Sequence, residues 1–217
     1  MAFFALPALS FGAFDLNFKC VSNNGGNSGI CNTIQNQFKV SVSNGSNRVN
    51  FKFSNNIGVA SSITRLFFDV PSGLLNLSSV AITGSGNGVS FSRDTQGNIM
   101  NLPGGNGIGF SSDLTALANS PTSQKGVNTA TEWVNVAVGY GQGKTFANVQ
   151  SALTGQNPSF RIGIHVQSIQ PSGKSDAFVT FGDNPPQQVV PEPGTYAALV
   201  AGGMGLFVWL QRRRRLN

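Results

Sequence analysis

The stretch that looks most like chemistry is Gly139-Tyr-Gly-Gln-Gly-Lys144-Thr145, because it falls between a strand-like run and a helical pattern, where a phosphate-cradling loop belongs. Its spacing excludes that use. A phosphate loop needs four residues between its first glycine and the Gly-Lys-Thr, whereas Gly139 and Gly143 enclose three, so the glycines read as a tight turn into the helix. His165 is the single histidine and cannot form a metal cluster. In a triad it would need a serine nucleophile, but no Gly-x-Ser-x-Gly elbow accompanies it, and it reads as a residue on the polar face of a strand. The eight carboxylates are dispersed. Glycoside hydrolysis needs two of them facing across a cleft, and nothing in the sequence recommends a pair such as Asp94 with Glu132. Asp94-Thr-Gln-Gly-Asn98 alternates oxygen donors as calcium loops do, but lacks the acidic density and the closing Glu of an EF-hand, so a hairpin turn is expected there. Trp133 and Tyr140 are candidates to stack on sugar rings if they are exposed, with core packing as the competing fate. No catalytic, cofactor-binding or metal-binding residues are therefore assigned, and no cofactor is expected.

A second kind of pattern occupies the C-terminus. Val190-Pro-Glu-Pro-Gly-Thr-Tyr196 leads into a run to Leu210 of apolar, aromatic or glycine residues, followed by Arg212, Arg213, Arg214 and Arg215. A helix beginning at Pro193, which tolerates the first turn, would extend the apolar run about 22 Å, short of the roughly 30 Å hydrocarbon core of a bilayer. The arginines extend its reach by snorkelling and fix orientation, since clustered cations remain cytoplasmic. Everything N-terminal to Pro191 is thus expected across the membrane.

Pro191-Glu192-Pro193, the short glycine-rich hydrophobic segment and the arginine cluster, in that order, resemble the PEP-CTERM sorting signal of Gram-negative bacteria that make extracellular polysaccharide. The resemblance implies export, a C-terminal transmembrane helix held in the bilayer, and recognition and cleavage by an exosortase, an integral membrane cysteine protease. It covers only the tail. The segment from Trp133 into Arg161-Ile-Gly-Ile-His-Val-Gln167 is more weakly similar to the end of the globular region in such proteins.

Export frames the rest of the chain. Cys20 and Cys31 are the only cysteines, and in an oxidising compartment they are expected to pair, pinning an Asn- and Gly-rich turn. Met1 to Ala13 reads as the back half of a secretory signal peptide without its basic start, with the first strand of the domain as the alternative. Of the formal charge of +6, four units belong to Arg212–Arg215, so no basic nucleic-acid surface is indicated.

The elements that must position these residues are mostly strands. Phe38, Val40 and Val42 alternate with Lys39, Ser41 and Ser43; after Asn44-Gly45-Ser46-Asn47, Val49, Phe51 and Phe53 alternate with Asn50, Lys52 and Ser54. That is a β-hairpin with one wet face. Further runs at 63–70, 79–83, 89–92, 133–138, 160–169 and 177–181 lie between Gly/Pro/Asn clusters. Phe146, Val149 and Leu153 mark one short helix, N-capped by Thr145. With 17 Phe to bury, disorder is excluded. The expected fold is all-β, an antiparallel β-sandwich of jelly-roll or Ig-like kind over residues 14–182. It is followed by a linker at 183–190 and the sorting signal at 191–217. The expected function is that of an exported, non-enzymatic surface or matrix protein. The alternative is a carbohydrate-binding module of an exopolysaccharide matrix.

Overall fold

The computed structural model describes residues 12–22, 28–56, 58–86, 88–94 and 99–181. The chain divides into two compact units, Met1–Gln187 and Gln188–Asn217, and the described residues all belong to the first. Among the described residues ten strands make up the sheet: β1 (Phe14–Cys20), β2 (Phe38–Gly45), β3 (Arg48–Asn55), β4 (Ser62–Asp69), β5 (Leu75–Ser85), β6 (Phe91–Arg93), β7 (Leu114–Ala118), β8 (Trp133–Tyr140), β9 (Arg161–Ile169) and β10 (Lys174–Thr180). They join side by side in the order β5-β8-β3-β2-β1-β10-β9-β4-β7-β6, with every pairing antiparallel.

Strand β1 folds this sheet on itself. Its first half, Phe14 to Asn17, pairs with β2, and its second half, Phe18 to Cys20, pairs with β10. The two half-sheets therefore face one another across a shared strand. Their inner faces interlock through phenylalanines: Phe51 of β3 meets Phe68 of β4 at 5.3 Å between ring centroids, and Phe38 of β2 meets Phe178 of β10 at 5.0 Å. Such pairs contribute about 0.5–1.5 kcal/mol each beyond the area they bury. The sheet's two edges, β5 and β6, are consecutive strands joined by the short 86–90 connection, which brings the sheet close to a closed barrel. The expected antiparallel all-β fold is present, as one wrapped sheet with a shared corner strand.

The β2–β3 hairpin has the expected register, with Val40 opposite Phe53 and Ser41 opposite Lys52, and Asn47 takes the left-handed turn position at φ 59°. At the end away from that turn, the Gln37 amide donates to Asn55 Oδ1 (2.9 Å) and Ser61 Oγ (2.9 Å) and accepts from the Val59 amide. The expected helix is α3 (Phe146–Leu153), with Phe146, Val149 and Leu153 buried and Phe146 packed on Phe14. The Thr145 amide donates to Asn148 Oδ1 at 2.9 Å, closing its first turn. Two further short helices accompany it, α1 (Ser28–Ile34) and α2 (Thr122–Lys125), where one had been expected. Both are shorter than the span over which apolar periodicity identifies a helix.

A second apolar cluster lies on the outside of the barrel. Phe67 of β4 and Ala177 and Val179 of β10 point outward and are covered by Leu102 and Phe110 from the long β6–β7 connection. Gly163 of β9 makes room for this strap, since a Cβ there would lie 2.9 Å from Leu102 Cδ1. Among the described residues no helix is long and apolar enough to cross a membrane; the expected transmembrane run, Tyr196–Leu210, lies outside them.

Candidate functional site

Of the residues singled out in the sequence, Trp133 lies on the outer face of the β1–β2–β3–β8–β5 half, among the polar side chains of β2, β3 and β8. Alternation turns Val134, Val136 and Val138 of β8 into the core and leaves Trp133 and Asn135 outside. The far edge of the Trp133 indole, Cη2 and Cζ3, fills the space that a Cβ on Gly84 would occupy, so the ring lies across β5. A register shift between Ile82 and Gly84 presents that glycine to it. Over the ring stands the Lys52 ammonium, 4.8 Å from the centroid. Lys52 lies directly between Ser41 of β2 and Asn135 of β8. The Asn135 amide donates to Thr83 Oγ1 and, at 3.5 Å, to Asn50 Oδ1. Lys39 pairs with Asp15 at 3.1 Å in the same polar field.

Tyr140 ends the same strand but faces the other way. Its ring packs against the core and its hydroxyl donates to Asn44 Oδ1 at 2.6 Å. Burial raises its pKa above the ordinary 10.0. Trp133 and Tyr140 thus do not share one platform.

His165 sits on the outer side of β9, half-buried and opposite Arg65 of β4. Burial first, and the Arg65 charge second, lower its pKa below 6.5. Glu132 spends one carboxylate oxygen on the amides of Asn128 (2.8 Å) and Thr129 (3.1 Å), so it works as a turn cap. Of the loop begun by Asp94, residues 95–98 lie outside the described residues. Among the described residues no group of three or more His, Cys, Asp or Glu could hold a metal ion.

The glycine-rich stretch before α3 is the tight turn its spacing indicated. A Cβ on Gly141 would lie 1.9 Å from the Gly73 carbonyl oxygen, and Gly143 takes φ +68°. Cys20 and Cys31 form the expected disulfide, with Cα atoms 5.8 Å apart, joining β1 to α1. Sequence reasoning missed the part played by Gly84 and Asn135 around Trp133. Gly84 opens the cluster Gly84-Ser85-Gly86-Asn87-Gly88, which reads as a turn after the 79–83 run, so nothing in the sequence marked it as the residue an indole would lie against.

The described residues therefore define a class: a disulfide-bonded, antiparallel all-β domain whose single sheet wraps into a nearly closed, barrel-like form. The tail supplies the particular. Residues 189–215 match the family model described as the PEP-CTERM protein-sorting motif. Pro191, Glu192, Pro193 and Arg212–Arg215 fall within that match and outside the described residues. No curated protein and no solved structure matches the chain. The motif implies an exported protein sorted at a membrane, with an exosortase as the partner.

Proposed function

We propose that the chain is a non-enzymatic surface or matrix component of the cell envelope, delivered and processed through its tail. In this reading Pro191-Glu192-Pro193 stands at the membrane face and Tyr196–Leu210 inserts in the bilayer. Arg212–Arg215 hold the cytoplasmic end until an exosortase cuts. The observation that carries it is the match of residues 189–215 to the sorting motif. The Cys20–Cys31 disulfide supports passage through an oxidising compartment. A non-enzymatic body is supported by the occupation of its carboxylates. Asp15 pairs with Lys39, Asp69 with Arg161, and Asp113 accepts the Val70 amide at 2.7 Å.

Tags placed before Pro185 and after Asn217 test this. Processing predicts that the first tag reaches the cell surface without the second. Both tags on one surface polypeptide would leave anchoring alone, and a full-length soluble product inside the cell would defeat export as well.

A carbohydrate-binding module is the second reading, favoured by one observation: Trp133 lies on the outer, amide- and hydroxyl-rich face of the barrel.

A further inference from the structure

The geometry points to the outer face of the β1–β2–β3–β8–β5 half-sheet as a binding site for an acidic polysaccharide, with Trp133 as its stacking platform and Lys52 as its carboxylate contact. This rests on the carbohydrate-binding reading and names the place and the ligand class.

Three features of the face select that ligand. The first is how Trp133 is held. A sheet that merely faces water has no use for an indole there, yet β5 shifts register and places Gly84 beneath the ring so that it can lie across the strand. An aromatic ring spread over a polar sheet offers a flat apolar patch to the C–H face of a sugar ring, while the groups around it suit sugar hydroxyls.

The second is the order of those groups. Along one row across the strands stand Asp15, Ser41, Lys52 and Asn135, ending at Gly84. Four interstrand steps of about 4.8 Å make a track of roughly 19 Å. Asn135 is already fixed by Thr83 and Asn50, so little side-chain freedom remains to be lost when a chain settles on it.

The third is charge. Lys39, Arg48 and Lys52 share this face with one carboxylate, Asp15, leaving a balance of 3 − 1 = +2. Glu132, next to Trp133 in sequence, holds the Asn128 and Thr129 amides and still carries its charge; counting it, the balance is 3 − 2 = +1. The Lys52 ammonium covers the outward face of the indole on a long exposed stem, so a sugar stacks there by drawing it aside, and a carboxylate on that sugar offsets the lost cation–π contact by pairing with it. Among the described residues that point outward from these strands, an apolar peptide would find no hydrophobic side chain larger than alanine besides Trp133. A nucleic acid would need a denser basic track than this.

The chain has only two tryptophans, and the other, Trp209, lies in the tail. Full-length protein carrying Trp209→Phe, kept in detergent micelles, therefore reports Trp133 fluorescence alone. It is titrated with polygalacturonate, with neutral dextran and with single-stranded DNA of matched length. Polygalacturonate should change the emission saturably and bind about tenfold or more tighter than dextran or DNA. Lys52→Ala should remove most of that preference, and Trp133→Ala should abolish retardation in a polygalacturonate gel, with thermal melts confirming that both variants fold. Retardation that survives Trp133→Ala leaves a carbohydrate-binding module but overturns this face. Equal binding of dextran overturns the acidic ligand, and equal or tighter binding of DNA overturns the saccharide. If the parent binds neither polysaccharide, this site and the carbohydrate-binding reading fall together, while the sorting reading is decided separately by the two tags.

Discussion

Protonating His165 is harder in the folded chain than in the unfolded one, because folding buries the ring and sets Arg65 beside it. The sign of the pH effect follows. Above the ordinary value of 6.5 both states are neutral at this position and it contributes nothing. As pH falls below 6.5 the unfolded chain takes the proton first, so stability drops until the lower folded pKa is passed. Melting temperatures from about pH 8 to about pH 5 should therefore decline more steeply for the parent than for His165→Gln. Arg65→Gln should reduce the difference without removing it, since burial is the larger cause. Parallel curves for parent and His165→Gln would show that the histidine is equally easy to protonate in both states. The polar face of β9 was legible in the sequence from the alternation of Ile162, Ile164 and Val166. The approach of Arg65 was not, because it depends on which strand β9 pairs with.

The strap across the outer face of β4, β9 and β10 is held by one side chain more than any other. Arg161 donates through Nε to Asp69 Oδ2 (3.0 Å) and through Nη1 to the Ile108 carbonyl (2.8 Å). Through Nη2 it reaches the Gly109 carbonyl, and its guanidinium lies 5.3 Å from the Phe110 ring centre. Asn101 organises the strap from within, donating to the Phe110 carbonyl at 2.8 Å and accepting from the Leu102 amide. Arg161→Ala should cost about 2 kcal/mol, because hydrogen bonds to charged groups contribute more than neutral ones. Denaturant titration measures that loss. Hydrogen exchange should show where it falls, with the Gly105 and Phe110 amides deprotected while β2 and β3 stay protected. Uniform deprotection would mean that the strap opens only with the whole barrel. This element also marks where sequence reading stops. The β2–β3 hairpin was legible because its outer face is wet, so hydrophobicity alternates. In β4, Leu66, Phe67 and Phe68 are all buried, since the strap covers the outer side as the core covers the inner. Such a strand reads as an apolar run with no stated side. Strand β7, Leu-Thr-Ala-Leu-Ala, escaped altogether, its alanines being weak strand formers.

At the scale of the molecule, the wrapped sheet depends on β1 pairing on both sides, for among the described strands it alone belongs to both half-sheets. The disulfide lies where β1 turns toward β10, fastening Cys20 to Cys31 in α1, and the Cys20 amide donates to Gln35 Oε1 at 3.1 Å. Opening the bridge therefore loosens the joint rather than a peripheral loop. The chain-entropy model assigns about 3 kcal/mol to closing a loop of this size. For a domain of this length that corresponds to a melting temperature lowered by roughly 6–12 °C. The Cys20→Ser/Cys31→Ser double variant should lose that much and still unfold in one transition, because neither half-sheet buries its inner phenylalanines without the other. Differential scanning calorimetry distinguishes the cases. Two separated transitions would show that the halves are independent layers bridged by β1, and an unchanged midpoint would show that β1 needs no fastening. The same variant bears on the compartment. A barrel weakened by this much without its bridge is suited to an environment that keeps the two sulfurs oxidised, which is where the sorting motif at residues 189–215 directs it.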